Sequence, residues 1–132
     1  MIQASPSDPA VLVIGHGTRR AAGVAEFHAL IEQLRQALPQ RTLLAGFLEL
    51  TDPSLADAME TLRQQGVRRI TALPAFLMAA GHIKNDIPFM LNAFQAEHPG
   101  LEITLGADLG VHPHLLQVAR ERIERAEATF GP

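Results

Sequence analysis

Four short apolar runs, each followed by a stretch with helical spacing, constrain the fold of this chain more than any other feature of its sequence. The runs lie at residues 11–14, 42–50, 69–76 and 101–105. Their lengths and their apolar, β-branched content predict buried strands. Strands that alternate with helices through short connections form parallel sheets. We therefore predict an α/β fold in a single domain, with a four-stranded parallel sheet, helices on both faces and flavodoxin-like layers.

The stretches that follow these strands predict four helices, at residues 22–38, 53–66, 86–97 and 113–129. Asp52 is predicted to cap the second helix, with a proline at its first position and Gly66 as its C-cap. Asn85 or Asp86 is predicted to cap the third helix.

The composition of the chain excludes several kinds of site. The 132 residues suggest one domain, and 47% hydrophobic and 19% charged residues are typical of a folded globular protein. There is no cysteine, which excludes a disulfide framework and a thiolate metal site. Any metal site must therefore use His, Asp, Glu or water.

The N-terminal segment, the apolar stretches and the net charge limit the expected location of the protein and its expected partners. Residues 1–9 are mostly polar and lack the features of a signal peptide, so we expect a flexible N-terminal segment before the α/β domain at residues 10–132. The longest apolar stretches are too short to cross a bilayer. A formal net charge of −3 argues against general nucleic-acid binding. We expect a cytoplasmic protein with neither a membrane nor a nucleic-acid partner.

Each of the four turns that follow a predicted strand carries at least one potential metal ligand or proton acceptor. In open parallel sheets, ligands bind outside the carboxyl ends of the strands. His16 follows the first strand and His82 the third, each beside a glycine that lets backbone approach a ligand. Neutral imidazole suits cobalt, nickel, iron and zinc. Glu49, after the second strand, adds a carboxylate that can bind metal or accept a proton.

Each of these residues also has a purely structural interpretation. His16 fits a turn, His82 a helix entry, and Glu49 a solvent-facing side chain. His112 and His114 flank a proline at a helix start, where capping is the simpler role and an accessory metal site the alternative. Three cations near the same edge fit either solvated charge or an anion site: Arg19, Arg20 and Lys84.

Four segments together resemble the sirohydrochlorin cobaltochelatase and ferrochelatase family of class II chelatases. They are Val-Ile-Gly-His-Gly-Thr-Arg at 13–19, Phe-Leu-Glu-Leu-Thr-Asp-Pro-Ser-Leu at 47–55, Pro-Ala-Phe-Leu-Met-Ala-Ala-Gly-His-Ile-Lys-Asn-Asp-Ile-Pro at 74–88 and Leu-Gly-Val-His-Pro at 109–113. The resemblance covers nearly the whole chain after the first ten residues. It implies a chelatase-like domain of the small, single-domain type.

The resemblance also implies roles for individual residues. His16 and His82 would hold the incoming metal ion, and His16 would also accept a proton. Glu49 would line the substrate site and take part in catalysis. The wall beside the macrocycle would be one continuous segment: Leu77, Met78, Ala79, Ala80, Gly81 and His82. Because sirohydrochlorin carries many carboxylates, Arg19, Arg20 and Lys84 would neutralise some of them.

The expected function is insertion of a divalent metal ion into sirohydrochlorin or a related tetrapyrrole, in cobalamin or sirohaem biosynthesis. Co²⁺ is the first expectation, Fe²⁺ the next, and Ni²⁺ stays open; the metal is a substrate and no cofactor is permanently bound. Small members of the family complete the cleft by pairing two chains, which implies a homodimer.

Three other functions are compatible with parts of the sequence. A metal carrier or sensor would use the same histidines without catalysis. A histidine phosphatase needs an arginine immediately before its histidine, where this chain has Gly15. A nucleotide-binding module would need a glycine-rich phosphate loop or a Walker lysine, and the chain has neither.

Overall fold

The fold is an alternation of four strands and four helices, as predicted. The computed structural model describes residues 9–78 and 81–131, and of His82 the backbone alone. The predicted N-terminal segment therefore lies, apart from Pro9, outside the described residues. The elements are β1 (Ala10–Gly15), α1 (Ala21–Ala37), β2 (Leu43–Phe47), α2 (Leu55–Gln64), β3 (Arg69–Pro74), α3 (Gly81–Glu97), β4 (Glu102–Leu105) and α4 (Pro113–Glu127).

The four strands form one parallel sheet in the order β2-β1-β3-β4. Val13 of β1 pairs with Ala45 on one side and with Leu73 on the other. The chain therefore leaves β1 in one direction to reach β2 and returns past β1 to reach β3. This reversal creates a topological switch point at the carboxyl ends of β1 and β3, where open α/β sheets bind ligands.

The core lies on both faces of the sheet, which confirms the predicted layers. Leu12 and Ile14 of β1 face one side and pack in a cluster with residues of α2 and α3. Val11 and Val13 face the other side and pack in a cluster with Ile31 of α1. β1 is buried along its whole length, so its carboxyl end is a rigid support for the residues that follow.

Three predicted boundaries are wrong for local reasons. The N-cap of α2 is Ser54, whose hydroxyl accepts a hydrogen bond from the Asp57 amide at 3.1 Å, and not Asp52. β2 ends at Phe47 because the chain turns sharply just beyond it, where the Thr51 amide donates to the Glu49 carbonyl at 2.7 Å. α3 begins at Gly81, ahead of both predicted caps, so Asn85 and Asp86 lie inside the helix and are exposed.

The last helix stands apart from this core. Every side chain of α4 except that of Leu115 is exposed, although the helix carries an apolar stripe. The exposed apolar residues of α4 and of the turn after it are Leu116, Val118, Ile123 and Phe130. Within the described part of the chain, no helix combines the length and the apolar character needed to span a membrane.

Candidate functional site

The loops that follow β1 and β2 are joined into one unit by backbone hydrogen bonds. The Leu48 amide donates to the Gly15 carbonyl at 3.0 Å, and the Glu49 amide donates to the His16 carbonyl at 3.1 Å. The Thr51 hydroxyl accepts from the Thr18 amide and donates to the Thr18 carbonyl, both at 2.9 Å. Because these bonds connect the loops along their length, a side chain on one loop is held at a fixed position relative to the other.

His16 and Glu49 meet across this unit. His16 Nε2 lies 2.9 Å from Glu49 Oε1, and the two side chains are 48% and 56% exposed. An ionised carboxylate only accepts hydrogen bonds, so the pair requires a proton on Nε2; in the neutral imidazole Nδ1 then carries the lone pair. A half-exposed pair of this kind contributes little to stability. The Glu49 carboxylate instead orients the His16 imidazole and compensates positive charge that develops on the ring.

Gly17 is required for the close approach of the two loops. Its φ of +98° is a conformation that residues with a Cβ rarely adopt. A Cβ at this position would lie 1.7 Å from the Glu49 carbonyl oxygen, which is a backbone clash. Gly17 therefore permits a close approach to the Glu49 backbone, while the predicted approach of backbone to a ligand stays a prediction.

The loop after β3 contacts His16 from the other side. The Phe76 ring lies edge-on to the His16 ring, with centroids 6.2 Å apart and planes at 82°. Beyond Phe76, Leu77 and Met78 are 54% and 73% exposed. His16 thus lies between a carboxylate on the β2 side and an aromatic ring on the β3 side.

The remainder of the predicted wall is only partly described. Ala79 and Ala80 lie outside the described residues, as does the side chain of His82. Gly81 is exposed and begins α3, and the His82 backbone follows it in the first turn. The pairing of His16 with His82 around a metal ion therefore stays a prediction.

The loops after β3 and β4 are also connected. The Leu109 amide donates to the Phe76 carbonyl at 2.8 Å, and the Gly110 amide donates to the Leu77 carbonyl at 2.6 Å. A cavity of about 280 Å³ opens between α3 and the start of the β4 loop, with Lys84 among its lining residues. The β4 loop thereby supports the segment that carries Leu77 and Met78.

The predicted cations are distributed around this edge. Arg19 and Arg20 are exposed in the loop that carries His16, and Lys84 is exposed on α3. In the described part of the chain none of the three forms an ion pair with a carboxylate. Their charge is available to an anionic ligand.

His112 and His114 lie together at the start of α4. His112 is the N-cap of α4, and its Nδ1 accepts a hydrogen bond from the His114 amide at 3.1 Å. The two rings stack with centroids 5.2 Å apart. Among the described residues, no group of three or more metal-ligating side chains is found. The predicted capping role is therefore observed for His112.

Two features of the site were missed by sequence reasoning. The Thr18–Thr51 bonds and the His16–Phe76 contact both join residues far apart in the sequence. Threonines and a phenylalanine at strand ends carry no distinctive signal, because such residues are equally common in turns and cores. Only the strand order brings these partners together.

The fold and the site define a class: an open parallel α/β domain with a histidine–carboxylate pair at its topological switch point. The family model described as CbiX matches residues 10–126. The chain belongs to the CbiX family, and the resemblance noted in its motifs is confirmed.

Alignments with curated relatives cover most of this chain. A sirohydrochlorin ferrochelatase of Priestia megaterium is 32% identical over 114 residues, which are 86% of this chain and 43% of the relative. A sirohydrochlorin cobaltochelatase of Methanococcoides burtonii is 30% identical over 120 residues, which are 85% of this chain and 92% of the relative. The chain thus spans about half the length of some curated relatives and nearly all of others.

Solved structures share the fold. A CbiX protein of Marinobacter aquaeolei VT8 has a TM-score of 0.80 at 27% identity, covering 93% of this chain and 100% of that one. The sirohydrochlorin chelatase SirB of Bacillus subtilis subspecies spizizenii, in complex with cobalt, has a TM-score of 0.82 at 26% identity. That alignment covers 89% of this chain and 50% of SirB. The longer relatives therefore hold about twice the length of chain that this domain provides.

Proposed function

We propose that this protein inserts a divalent metal ion into sirohydrochlorin, with Co²⁺ as the first candidate and Fe²⁺ as the second. The observation that carries the proposal is the His16–Glu49 pair at 2.9 Å, set at the switch point beside exposed apolar side chains. Relatives of this chain bear the names of cobalt and iron chelatases for the same macrocycle. In this proposal the metal ion is a substrate and no cofactor stays bound.

The chemistry of insertion matches what the pair can do. Metal insertion displaces the protons on the pyrrole nitrogens, so a base must stand close to the ring. With Nε2–H donated to Glu49, the Nδ1 lone pair of His16 can take such a proton or bind the incoming metal ion. Glu49 then stabilises the positive charge on the imidazole. The same pair thus serves both delivery of the metal and removal of a proton.

A small set of ligands suits a metal that must leave. A closed site with four protein ligands holds a metal ion firmly, whereas a site with fewer ligands keeps coordination positions open. With His16 Nδ1 and the predicted ligand His82 holding the metal ion, positions stay open that the pyrrole nitrogens can occupy, while Glu49 remains hydrogen-bonded to Nε2. We therefore assign these three residues to a transfer site and not to a storage site.

Both apolar and charged side chains would contact the macrocycle. Leu77 and Met78 present exposed apolar surface on the β3 side of His16 and would cover the face of the ring. Arg19, Arg20 and Lys84 would meet its carboxylates. This arrangement allows a protein with a formal net charge of −3 to bind a polyanion.

We also propose that the protein acts as a homodimer whose second copy covers α4. The apolar stripe of α4 is exposed in the single chain, and relatives of twice the length are known for this fold. Leu116 and Ile123 are seven residues apart and therefore share one face of α4. Two antiparallel copies of α4 related by a twofold axis near Ile123 would bury these side chains. The cytoplasmic location expected from the sequence stays a prediction.

The test of the proposed function is an anaerobic absorbance assay with sirohydrochlorin and Co²⁺, Fe²⁺ or Ni²⁺ in turn. We expect insertion well above the uncatalysed rate, and a loss of about a hundredfold or more in His16→Ala, since general-base catalysis contributes about that much. His28→Ala removes an exposed histidine from the α1 surface and serves as the matched control. Metal binding without any acceleration would contradict the proposal and favour a metal carrier or sensor.

A further inference from the structure

Leu50 has a backbone conformation that its residue type does not favour. Its φ is +64°, and it is the only non-glycine residue with positive φ in the described part of the chain. The Thr51 amide donates to the Glu49 carbonyl at 2.7 Å, which closes a tight turn around Leu50. Residues with a Cβ are strained in this region, and such strain persists where the surroundings enforce it, often at functional sites.

The surroundings of Leu50 enforce this conformation from both sides. Before it, the Glu49 amide is bonded to the His16 carbonyl, and the Glu49 carbonyl oxygen lies where a Cβ on Gly17 would be. After it, the Thr51 hydroxyl is bonded twice to the Thr18 backbone. A glycine would adopt this positive φ at a lower conformational free energy than leucine does. The leucine side chain must therefore be explained by something other than the turn.

Packing within the chain does not explain the side chain either. Leu50 is 53% exposed, whereas Phe47 at the end of the same strand is 2% exposed. The turn thus holds an apolar side chain out in solvent, next to the carboxylate that bonds His16. An apolar group held there is suited to contact an apolar ligand.

The strand order sets the loop with Leu50 on the opposite side of His16 from Leu77 and Met78. β1 lies between β2 and β3, so the loop with His16 lies between the loop with Leu50 and the loop with Leu77 and Met78. Two strand spacings separate the outer loops, about 10 Å. A flat apolar ring centred over His16 would reach exposed apolar side chains on both sides.

We infer that Leu50 is a binding residue for the macrocycle, which contacts the ring on the β2 side and centres it over His16. This inference rests on the proposed function. Leu50 acts through contact with the bound ring, while Glu49, one residue earlier, acts on His16. The strained turn allows Glu49 to contact the imidazole of His16 while the adjacent Leu50 contacts the macrocycle.

The test compares Leu50→Gly and Leu50→Ala with the unmodified chain. Both variants remove the apolar side chain, but glycine also relieves the left-handed strain and alanine does not. The measurements are sirohydrochlorin binding by fluorescence titration without metal, KM and kcat of cobalt insertion, Co²⁺ binding without macrocycle, and the thermal unfolding midpoint. Leu30→Ala, which shortens a leucine 40% exposed on α1, is the matched control.

We expect both variants to weaken sirohydrochlorin binding and raise KM by about three- to tenfold, the effect of losing partial burial of one leucine side chain. Co²⁺ binding and kcat should stay within twofold of the unmodified chain, and Leu50→Gly should unfold at the same temperature as that chain or higher. Leu30→Ala should leave every one of these values unchanged.

Unchanged binding and KM in both variants would overturn the inference. So would a fall in the unfolding midpoint of Leu50→Gly together with loss of Co²⁺ binding, because a structural role predicts that result. If the unmodified chain binds no sirohydrochlorin at all, the proposed function fails. If it binds and the variants bind equally well, the proposed function stands and only the role of Leu50 fails.

Discussion

α2 and α4 are both amphipathic helices, and they differ in what their apolar faces meet. In α2 the apolar face is buried throughout: Leu55, Ala58, Met59 and Leu62 are at most 1% exposed. In α4 no residue is buried, and Leu116 and Ile123 are 72% and 57% exposed. α2 packs on β1 and β2, whereas α4 comes after the last strand and lies away from the core clusters.

An amphipathic pattern therefore indicates that one face of a helix is to be buried, but it does not indicate which element buries that face. α2 connects two strands of the sheet, so its connections at both ends hold it against the core. α4 is connected to the sheet at one end only, within the described residues. Its apolar stripe is therefore free for a second copy, which is the occupant we propose.

The largest expected effect follows from truncating the buried helix face. Leu62→Ala should lower the free energy of unfolding by about 2–5 kcal/mol, because it removes buried methyl groups and leaves a cavity. Urea unfolding at low protein concentration measures it. Leu116→Ala on α4 is the matched variant and should change that free energy by no more than about 0.5 kcal/mol. Equal losses in the two variants would mean that α4 packs on its own chain.

The second effect concerns the exposed helix. Ile123→Asp should convert the proposed dimer to a monomer, because it would put two carboxylates at the proposed twofold axis. Light scattering after size-exclusion chromatography gives the mass, and circular dichroism checks that the fold is retained. Leu30→Asp on α1 should leave the mass unchanged. A dimer that persists in Ile123→Asp would exclude α4 as the shared surface.

A smaller effect is expected at the two helix caps. Ser54→Ala should destabilise the protein by about 1 kcal/mol, because the Ser54 hydroxyl accepts a hydrogen bond from the Asp57 amide at the start of a packed helix. His112→Ala should cost less in global stability, because α4 can fray without opening the core. Hydrogen exchange distinguishes the two, since loss of protection should stay within α4 in His112→Ala. Loss of protection throughout the chain in that variant would contradict it.

The smallest effect depends on pH. The Arg63 guanidinium, hydrogen-bonded to Glu60 on α2, holds the pKa of that carboxyl below its usual range. The contribution of the pair is therefore present above the ordinary glutamate pKa and is lost as pH falls through the lower value of the folded state. Thermal unfolding of Glu60→Gln should show a slightly weaker acid dependence than the unmodified chain. An identical pH dependence in the two proteins would show that the pair contributes nothing.

Much of the site was predictable because strand ends share one edge of a parallel sheet. His16 and Glu49 were assigned to that edge from sequence, and they lie 2.9 Å apart. The rule says which loops meet but not which atoms bond, so the Thr18–Thr51 bonds and the contact of Phe76 with His16 did not follow from it. The cap of α2 was predicted two residues early, because Asp52 and Ser54 are equally good capping residues and only the path of the chain selects Ser54.

The order and type of the elements, the parallel sheet and the family follow from the amino-acid sequence, because hydrophobic periodicity and contiguous motifs are local properties of the chain. The strand order β2-β1-β3-β4 and the exposure of α4 emerge only from the folded molecule. Pairing between strands depends on contacts among residues distant in sequence, and no local pattern encodes them. That long-range pairing is why His16 has a carboxylate on one side and an aromatic ring on the other.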